Sequence, residues 1–197
     1  MKRQDYYYRL AKKEHYKSRA AYKLMHIDDR FYIFKKGKSV LDLGASPGGW
    51  SQVAKERTYG GAVFSVDIKP VHIEGITYIK GNVFDDEIIN KIKEKMVEKN
   101  TDGFDVILSD MSPKISGVKE VDHQQSLDLG RRALEISKQL LKVGGSLIIK
   151  LFYGQDIFNI KKEVEAFFDF CKFYTPPSSR KGSREVYMVC KRFKKTI

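Results

Sequence analysis

The sequence predicts an α/β fold: a mostly parallel seven-stranded sheet with helices on both faces and an antiparallel hairpin at the C-terminal end. Three observations carry this prediction. Seven short apolar or alternating runs recur along the 197 residues, with helical patterns between most of them. A glycine-rich turn follows the first run and leads at once into an amphipathic segment. The last two runs lie close together with no helix between them. Strands alternating with helices imply right-handed βαβ units, whereas neighbouring strands without a crossover pair antiparallel.

In chain order, residues 1–17 read as a basic, tyrosine-rich polar arm that orders on binding. Residues 18–30 read as a helix, with Ala20, Ala21, Leu24 and Ile27 forming its apolar stripe. Strands are predicted at 40–43, 62–68, 76–79, 104–110, 146–152, 172–174 and 185–191. Helices are predicted at 50–57, 87–98, 124–141 and 157–168. No repeat, low-complexity tract or Pro/Gly-rich linker divides the chain, so residues 1–197 are expected to form one domain.

A hydrophobic fraction of 42% and a charged fraction of 31% suit a globular protein with a sizeable core. No apolar run approaches the roughly 18–20 residues that span a bilayer, and the first residues lack the apolar centre of a signal peptide. Cys171 and Cys190 sit in apolar, strand-like surroundings and are expected as buried free thiols, which places the protein in the cytoplasm. His15, His26, His72 and His123 are scattered without ligand spacing, so no metal site is expected. The net charge of +12 favours polyanions. Basic residues crowd the first 38 positions, interleaved with Tyr6, Tyr7, Tyr8, Tyr16, Tyr22 and Tyr32. Cations for phosphates beside aromatic faces for bases predict an RNA-binding surface.

The turn after the first strand reads Gly44-Ala45-Ser46-Pro47-Gly48-Gly49-Trp50. Its spacing is neither G-x-G-x-x-G nor a phosphate loop. It resembles the nucleoside-binding turn of methyltransferases that use S-adenosylmethionine (AdoMet). In an open α/β sheet, ligands bind beyond the carboxyl ends of the strands. Gly44, Gly48 and Gly49 would open the backbone to the methionine moiety. Asp67, ending the second strand, would accept the ribose hydroxyls, and Asn82 would accept the adenine amino group through its carbonyl. Taken singly, Asp67 also reads as a turn residue before Pro70, and Asn82 as an ordinary loop former.

Four further residues carry candidate chemistry. Asp110 ends the fourth strand, in Ser109-Asp110-Met111-Ser112-Pro113. Lys150 is a charge inside the apolar strand Ser146-Leu147-Ile148-Ile149-Lys150-Leu151-Phe152, and a buried ammonium needs a carboxylate partner or a depressed pKa. Glu185 opens the last strand in Ser183-Arg184-Glu185-Val186-Tyr187, and Lys23 sits on the first helix after Ser18-Arg19-Ala20. Alone, Lys23 reads equally as a solvated helix lysine and Glu185 as an edge residue.

The order and spacing of Ser18-Arg19-Ala20, Gly44-Ala45-Ser46-Pro47-Gly48-Gly49-Trp50-Ser51-Gln52, Ser109-Asp110-Met111-Ser112-Pro113 and Ser183-Arg184-Glu185-Val186-Tyr187 closely resemble the FtsJ/RrmJ-type ribosomal RNA 2′-O-methyltransferases, the RlmE group, over residues 10–193. The resemblance implies a Rossmann-like AdoMet-dependent methyltransferase fold and a catalytic tetrad of Lys23, Asp110, Lys150 and Glu185. It implies cofactor contacts at Gly48, Trp50, Asp67, Asn82 and Asp110, with Asn82 standing where the family usually has aspartate. The implied partner is large-subunit ribosomal RNA, modified at a uridine ribose in the assembled subunit by a monomeric enzyme. Lys150 would accept the hydroxyl proton, Asp110 would orient it, and Lys23 with Glu185 would hold the hydroxyl. The alternatives are a transfer RNA ribose methyltransferase and a non-catalytic ribosome-assembly factor.

Overall fold

The computed structural model describes residues 6–194. Of the N-terminal arm, residues 1–5 lie outside that range. Tyr6–Lys13 form α1, followed by α2 (Ala21–Phe31), β1 (Val40–Leu43) and α3 (Gly49–Thr58). Then come β2 (Val63–Asp67), β3 (Thr77–Lys80), α4 (Ile88–Glu98), β4 (Phe104–Ser109) and α5 (Lys119–Leu140). The chain closes with β5 (Leu141–Phe152), α6 (Ile157–Glu165), β6 (Phe168–Tyr174) and β7 (Glu185–Phe193).

The seven strands form one sheet in the order β3-β2-β1-β4-β5-β7-β6. The five strands β3 to β5 run parallel, and β7 is antiparallel to both β5 and β6. This is the predicted mostly parallel sheet with a terminal hairpin, β7 being inserted between β5 and β6. Sequence periodicity placed every strand but set two boundaries short. β5 begins at Leu141 and β6 at Phe168, so the helices before them end earlier than expected. Short apolar runs at such junctions satisfy both periods.

Strict alternation along the strands splits the core into two layers. Leu41 and Leu43 of β1, Leu147, Ile149 and Leu151 of β5, and Val186 and Met188 of β7 pack with α4, α5 and α6. Val40, Leu108, Ile148, Tyr187 and Val189 pack with α2 and α3 on the other face. That second face receives Lys150, which pairs in register with Tyr187. A strand buried on both sides must read as continuously apolar, so a lysine within it marks a site.

The expected free thiols are not present. Cys171 and Cys190 stand opposite each other in the β6–β7 ladder, their Cα atoms 4.2 Å apart, and are joined by a disulfide. Apolar surroundings report burial only. Opposition across a hairpin is decided by register, which nothing local to either cysteine encodes.

Candidate active site

The carboxyl ends of β1, β2 and β4 open into a cleft of about 630 Å³ lined by Gly44, Ser46, Asp67, Asn82 and Asp110, among others. Ile68, Val83, Met111 and Leu129 supply its apolar walls. Asp67 is aimed by the backbone. Its Oδ2 accepts the Ser46 N–H at 2.9 Å and its Oδ1 the Lys69 N–H at 2.8 Å. The turn reading and the ligand reading of Asp67 therefore coexist, because the turn fixes the carboxylate in the cleft wall. Asn82 also lines the cleft, but its carbonyl already accepts the Phe84 N–H at 3.1 Å.

The glycines of the turn serve protein packing more than expected. A β-carbon on Gly44, at φ +73°, would stand 2.5 Å from Met111 Cγ, and one on Gly49 would collide with the Ser18 hydroxyl. Gly48, Gly49 and Trp50 are not among the residues lining the cleft. Trp50 is buried; its indole N–H donates to the Ala20 carbonyl at 2.8 Å, and its ring packs 5.5 Å from that of Tyr187. The Ser18-Arg19-Ala20 piece thus clamps the glycine turn: Ser18 fills the space over Gly49 and Ala20 anchors Trp50.

The four tetrad candidates converge as two ion pairs. Lys150 Nζ lies 3.2 Å from Asp110 Oδ1 and donates to the Asp110 carbonyl at 2.5 Å. Lys23 Nζ lies 2.6 Å from Glu185 Oε2. The two pairs meet at Tyr187, whose hydroxyl donates to Asp110 Oδ1 at 2.8 Å and whose ring lies 5.7 Å from Lys23 Nζ. Burial pushes Glu185 up, but the charge and hydrogen bond of Lys23, with the charge of Lys150, override it and leave Glu185 below its ordinary value. Burial, reinforced by Asp110 and Glu185, holds the Tyr187 phenol well above its ordinary range, so it stays a neutral donor. Buried ion pairs add little net stability and are better attested as devices that specify geometry. Asp110 also lines the cleft, so it joins the tetrad to the cofactor-sized space.

Tyr187 was not singled out from sequence, although its signal was present. It lies two residues beyond Glu185 on a strand, hence on the same face. Asp42 was missed as well. It is a carboxylate inside the buried strand β1, held by the Ser51 hydroxyl at 2.6 Å, with Oδ1 buried and without a hydrogen-bond partner.

The tyrosines of the basic N-terminal region divide in two. Tyr7, Tyr16 and Tyr22 pack on one another at ring distances of 5.4 and 5.8 Å. Tyr22 and Tyr16 donate to Glu14 and Glu56. Burial, with the Glu56 hydrogen bond, pushes the Tyr16 phenol up to about 12. This cluster secures α1 and the following turn against α2 and α3, whereas Tyr6 and Tyr32 keep exposed rings. Among the described residues no cluster of three or more His, Cys, Asp or Glu could hold a metal ion.

Comparison with known proteins agrees with this fold. Residues 16–193 match the FtsJ-like methyltransferase family. The chain is 47% identical to ribosomal RNA large subunit methyltransferase E of Archaeoglobus fulgidus, over 98% of both chains. It is 41% identical to the protein of the same name from Methanocaldococcus jannaschii, over 98% of this chain and 80% of that one. A crystal structure described as a ribosomal RNA methyltransferase from Plasmodium falciparum superposes with a TM-score of 0.81 at 34% identity, covering 90% of this chain and 98% of the other. A fibrillarin/Nop5p complex, at 15% identity and a TM-score of 0.59, shares the fold alone. With its motifs, sheet order and matched length in agreement, the chain belongs to the FtsJ-like methyltransferase family.

Proposed function

We propose that this AdoMet-dependent methyltransferase, acting as a monomer, methylates the 2′-hydroxyl of a uridine ribose in large-subunit ribosomal RNA within the assembled subunit. One observation carries the reading. The Lys150–Asp110 and Lys23–Glu185 pairs meet at Tyr187 beside a cleft that Asp110 shares. The names of the relatives support the RNA. Ribosomal RNA as substrate is also what supports a cytoplasmic location, since the cysteines no longer argue for a reducing compartment.

The cleft fits AdoMet chemically: a carboxylate oriented by two amides suits ribose hydroxyls, and apolar walls beside an amide suit a purine. Asp67 would hold the ribose, Asn82 the adenine edge, and Asp110 with the turn at Gly44, Gly48, Gly49 and Trp50 the methionine end. When bound, AdoMet supplies an electrophilic sulfonium methyl. The chain's own task is then to align the 2′-oxygen and remove its proton. Lys150 takes that proton at Nζ once its own ammonium proton has left, and the adjacent Asp110 carboxylate stabilises the ammonium that results. Lys23 and Glu185 hold the hydroxyl, and Tyr187 fixes Asp110. Alignment supplies several kcal/mol, and a positioned base adds about 10²–10⁴-fold in rate.

The direct test is transfer of labelled methyl from AdoMet to large subunits lacking the modification, with free ribosomal RNA and transfer RNA as parallel acceptors. Ribose label at a uridine in the subunit is expected. Label confined to transfer RNA would overturn the substrate, and AdoMet binding without transfer to any acceptor would overturn the activity. Asp67→Ala is expected to weaken AdoMet binding at least tenfold by calorimetry, the loss of about one charge-assisted hydrogen bond.

A further inference from the structure

Part of the cofactor-sized cleft rests on the edge of the sheet. Asn82 and Val83 lie in the loop after β3, a four-residue strand that pairs with β2 alone. The loop folds on itself. The Phe84 N–H donates to Asn82 Oδ1 at 3.1 Å, the Asp85 N–H to the Asn82 carbonyl at 3.0 Å, and the Ile88 N–H to the Asp85 carbonyl at 3.2 Å. These bonds shape the turn. None of them reaches α5, which contributes Leu129 to the same cleft.

Arg132 makes that connection. It stands three residues beyond Leu129 on α5, so the two side chains share a helical face. Its Nε donates to the Val83 carbonyl at 2.6 Å and its Nη2 to the Asp85 carbonyl at 3.4 Å. Its Nη1 pairs with Glu135 of its own helix at 2.9 Å. The turn's own bonds use the carbonyls of Asn82 and Asp85 and leave that of Val83 to the guanidinium. The neighbouring Arg131 is a surface residue, its side chain 36% exposed and bonded to Asp128 and Glu163. The Arg132 side chain is only 16% exposed. Burying a guanidinium is costly unless it is paired and hydrogen-bonded, and two carbonyls and a carboxylate meet that need here. α5 is a firm support for it, because Leu127, Ala133 and Ile136 seat the helix in the core.

Resting on the reading of this cleft as the AdoMet site, we propose that Arg132 is a positioning residue for the purine end of the cofactor. By fastening the Val83 carbonyl to α5, it fixes Val83 relative to Leu129 and holds Asn82 at the cleft. A backbone N–H can only donate, so Asn82 turns Oδ1 toward Phe84, and its Nδ2 donors remain for the base. A flat base is recognised by apolar walls at a set separation and a polar group at its edge. Without the fastening, that arrangement must be ordered at each binding event, and affinity falls by the cost of ordering it. The planar fork of arginine is pre-organised for such a task, whereas a lysine stem is not. Arg132 does not itself line the cleft, so it acts on the cofactor through the loop.

The test uses the full chain, with AdoMet affinity read by calorimetry and initial rates read on large subunits lacking the modification. Arg132→Ala is expected to weaken AdoMet binding about tenfold, the loss of one hydrogen bond from a charged donor. KM for AdoMet should rise with it, while kcat at saturating AdoMet and KM for the subunit stay close to wild type. A merely structural role would instead shrink the active fraction and so lower kcat. Arg132→Lys, which keeps one donor for Val83, should recover part of the affinity. Arg131→Ala removes the same charge from α5 and serves as the control. Arg132→Ala combined with Asn82→Ala should cost less than the sum of the two, since both act through one loop; strict additivity would place the effect of Arg132 elsewhere and overturn the proposal. Asp67→Ala, run in parallel, tests the cleft itself. If it leaves affinity unchanged, AdoMet lies elsewhere, and the cleft reading falls and takes the role of Arg132 with it. If Asp67→Ala weakens AdoMet but Arg132→Ala loses no more than Arg131→Ala, or loses kcat instead of affinity, the role of Arg132 alone is overturned. The calorimetry holds whichever RNA is methylated.

Discussion

Replacing Lys150 with alanine is expected to lower methyl transfer by about 10²–10⁴-fold, the usual contribution of a positioned base, with AdoMet affinity close to wild type. Lys150 does not line the cofactor cleft, and its contacts go to Asp110. Asp110 keeps the Tyr187 hydroxyl as a partner when the lysine is gone, so the cleft retains its shape. Lys150→Arg separates a base from an electrostatic anchor. Arginine preserves the charge and the ion pair but does not deprotonate in proteins, so it should be nearly as inactive as alanine. Near-normal turnover in Lys150→Arg would show that the site needs only a cation there. Single-turnover rates with saturating AdoMet and subunits read the chemical step directly.

The second large effect concerns Asp42 and is one of stability. Burial, with the nearby charges of Asp110 and Asp67, pushes this carboxyl up to about 7 against the Ser51 hydrogen bond, from an ordinary 3.8. Between those values the folded state keeps a proton that the unfolded chain has lost. The folded state therefore binds more protons, and stability falls as pH rises from about 4 to 7, then levels off. Each pH unit in that window is worth about 1.4 kcal/mol, so the loss is about 4 kcal/mol. Glu185, lowered in the folded state, contributes the opposite slope, but below its ordinary 4.5 and so at the acid edge of the window. Asp42→Asn keeps an acceptor for Ser51 and removes the titration. Urea unfolding at pH 4 and pH 8 should show the variant nearly level with wild type at the first and clearly more stable at the second. Equal pH dependence in the two proteins would mean that Asp42 is charged throughout. Below about pH 7, a protonated Asp42 leaves the negative charge of the region to Asp67 and Asp110, which face the cleft.

Much of this protein was legible before its structure. Strand periodicity located all seven strands, because a strand in a layered sheet must alternate or be continuously apolar. Where an apolar run adjoined a helix, as at Leu141 and Phe168, both periods fitted and the boundary slipped. The candidate site residues were legible where a charge broke an apolar run, as at Lys150, or ended a strand, as at Asp67 and Asp110. The same signal lay unread at Asp42.

The sequence by itself determined the layered α/β architecture and the glycine turn, since each depends on composition and spacing within one element, and the order of its motifs carried the resemblance that implies the four tetrad candidates. Only the tertiary structure decided which cation pairs with which carboxylate, and that Tyr187 joins the two pairs. It also turned Gly48, Gly49 and Trp50 toward packing, set Cys171 against Cys190, and brought Arg132 to the Val83 carbonyl. These are relations between residues 19 to 162 positions apart, fixed by strand register and by how α2 seats on the sheet. Register shifts every partner at once, and no local run of residues carries that information.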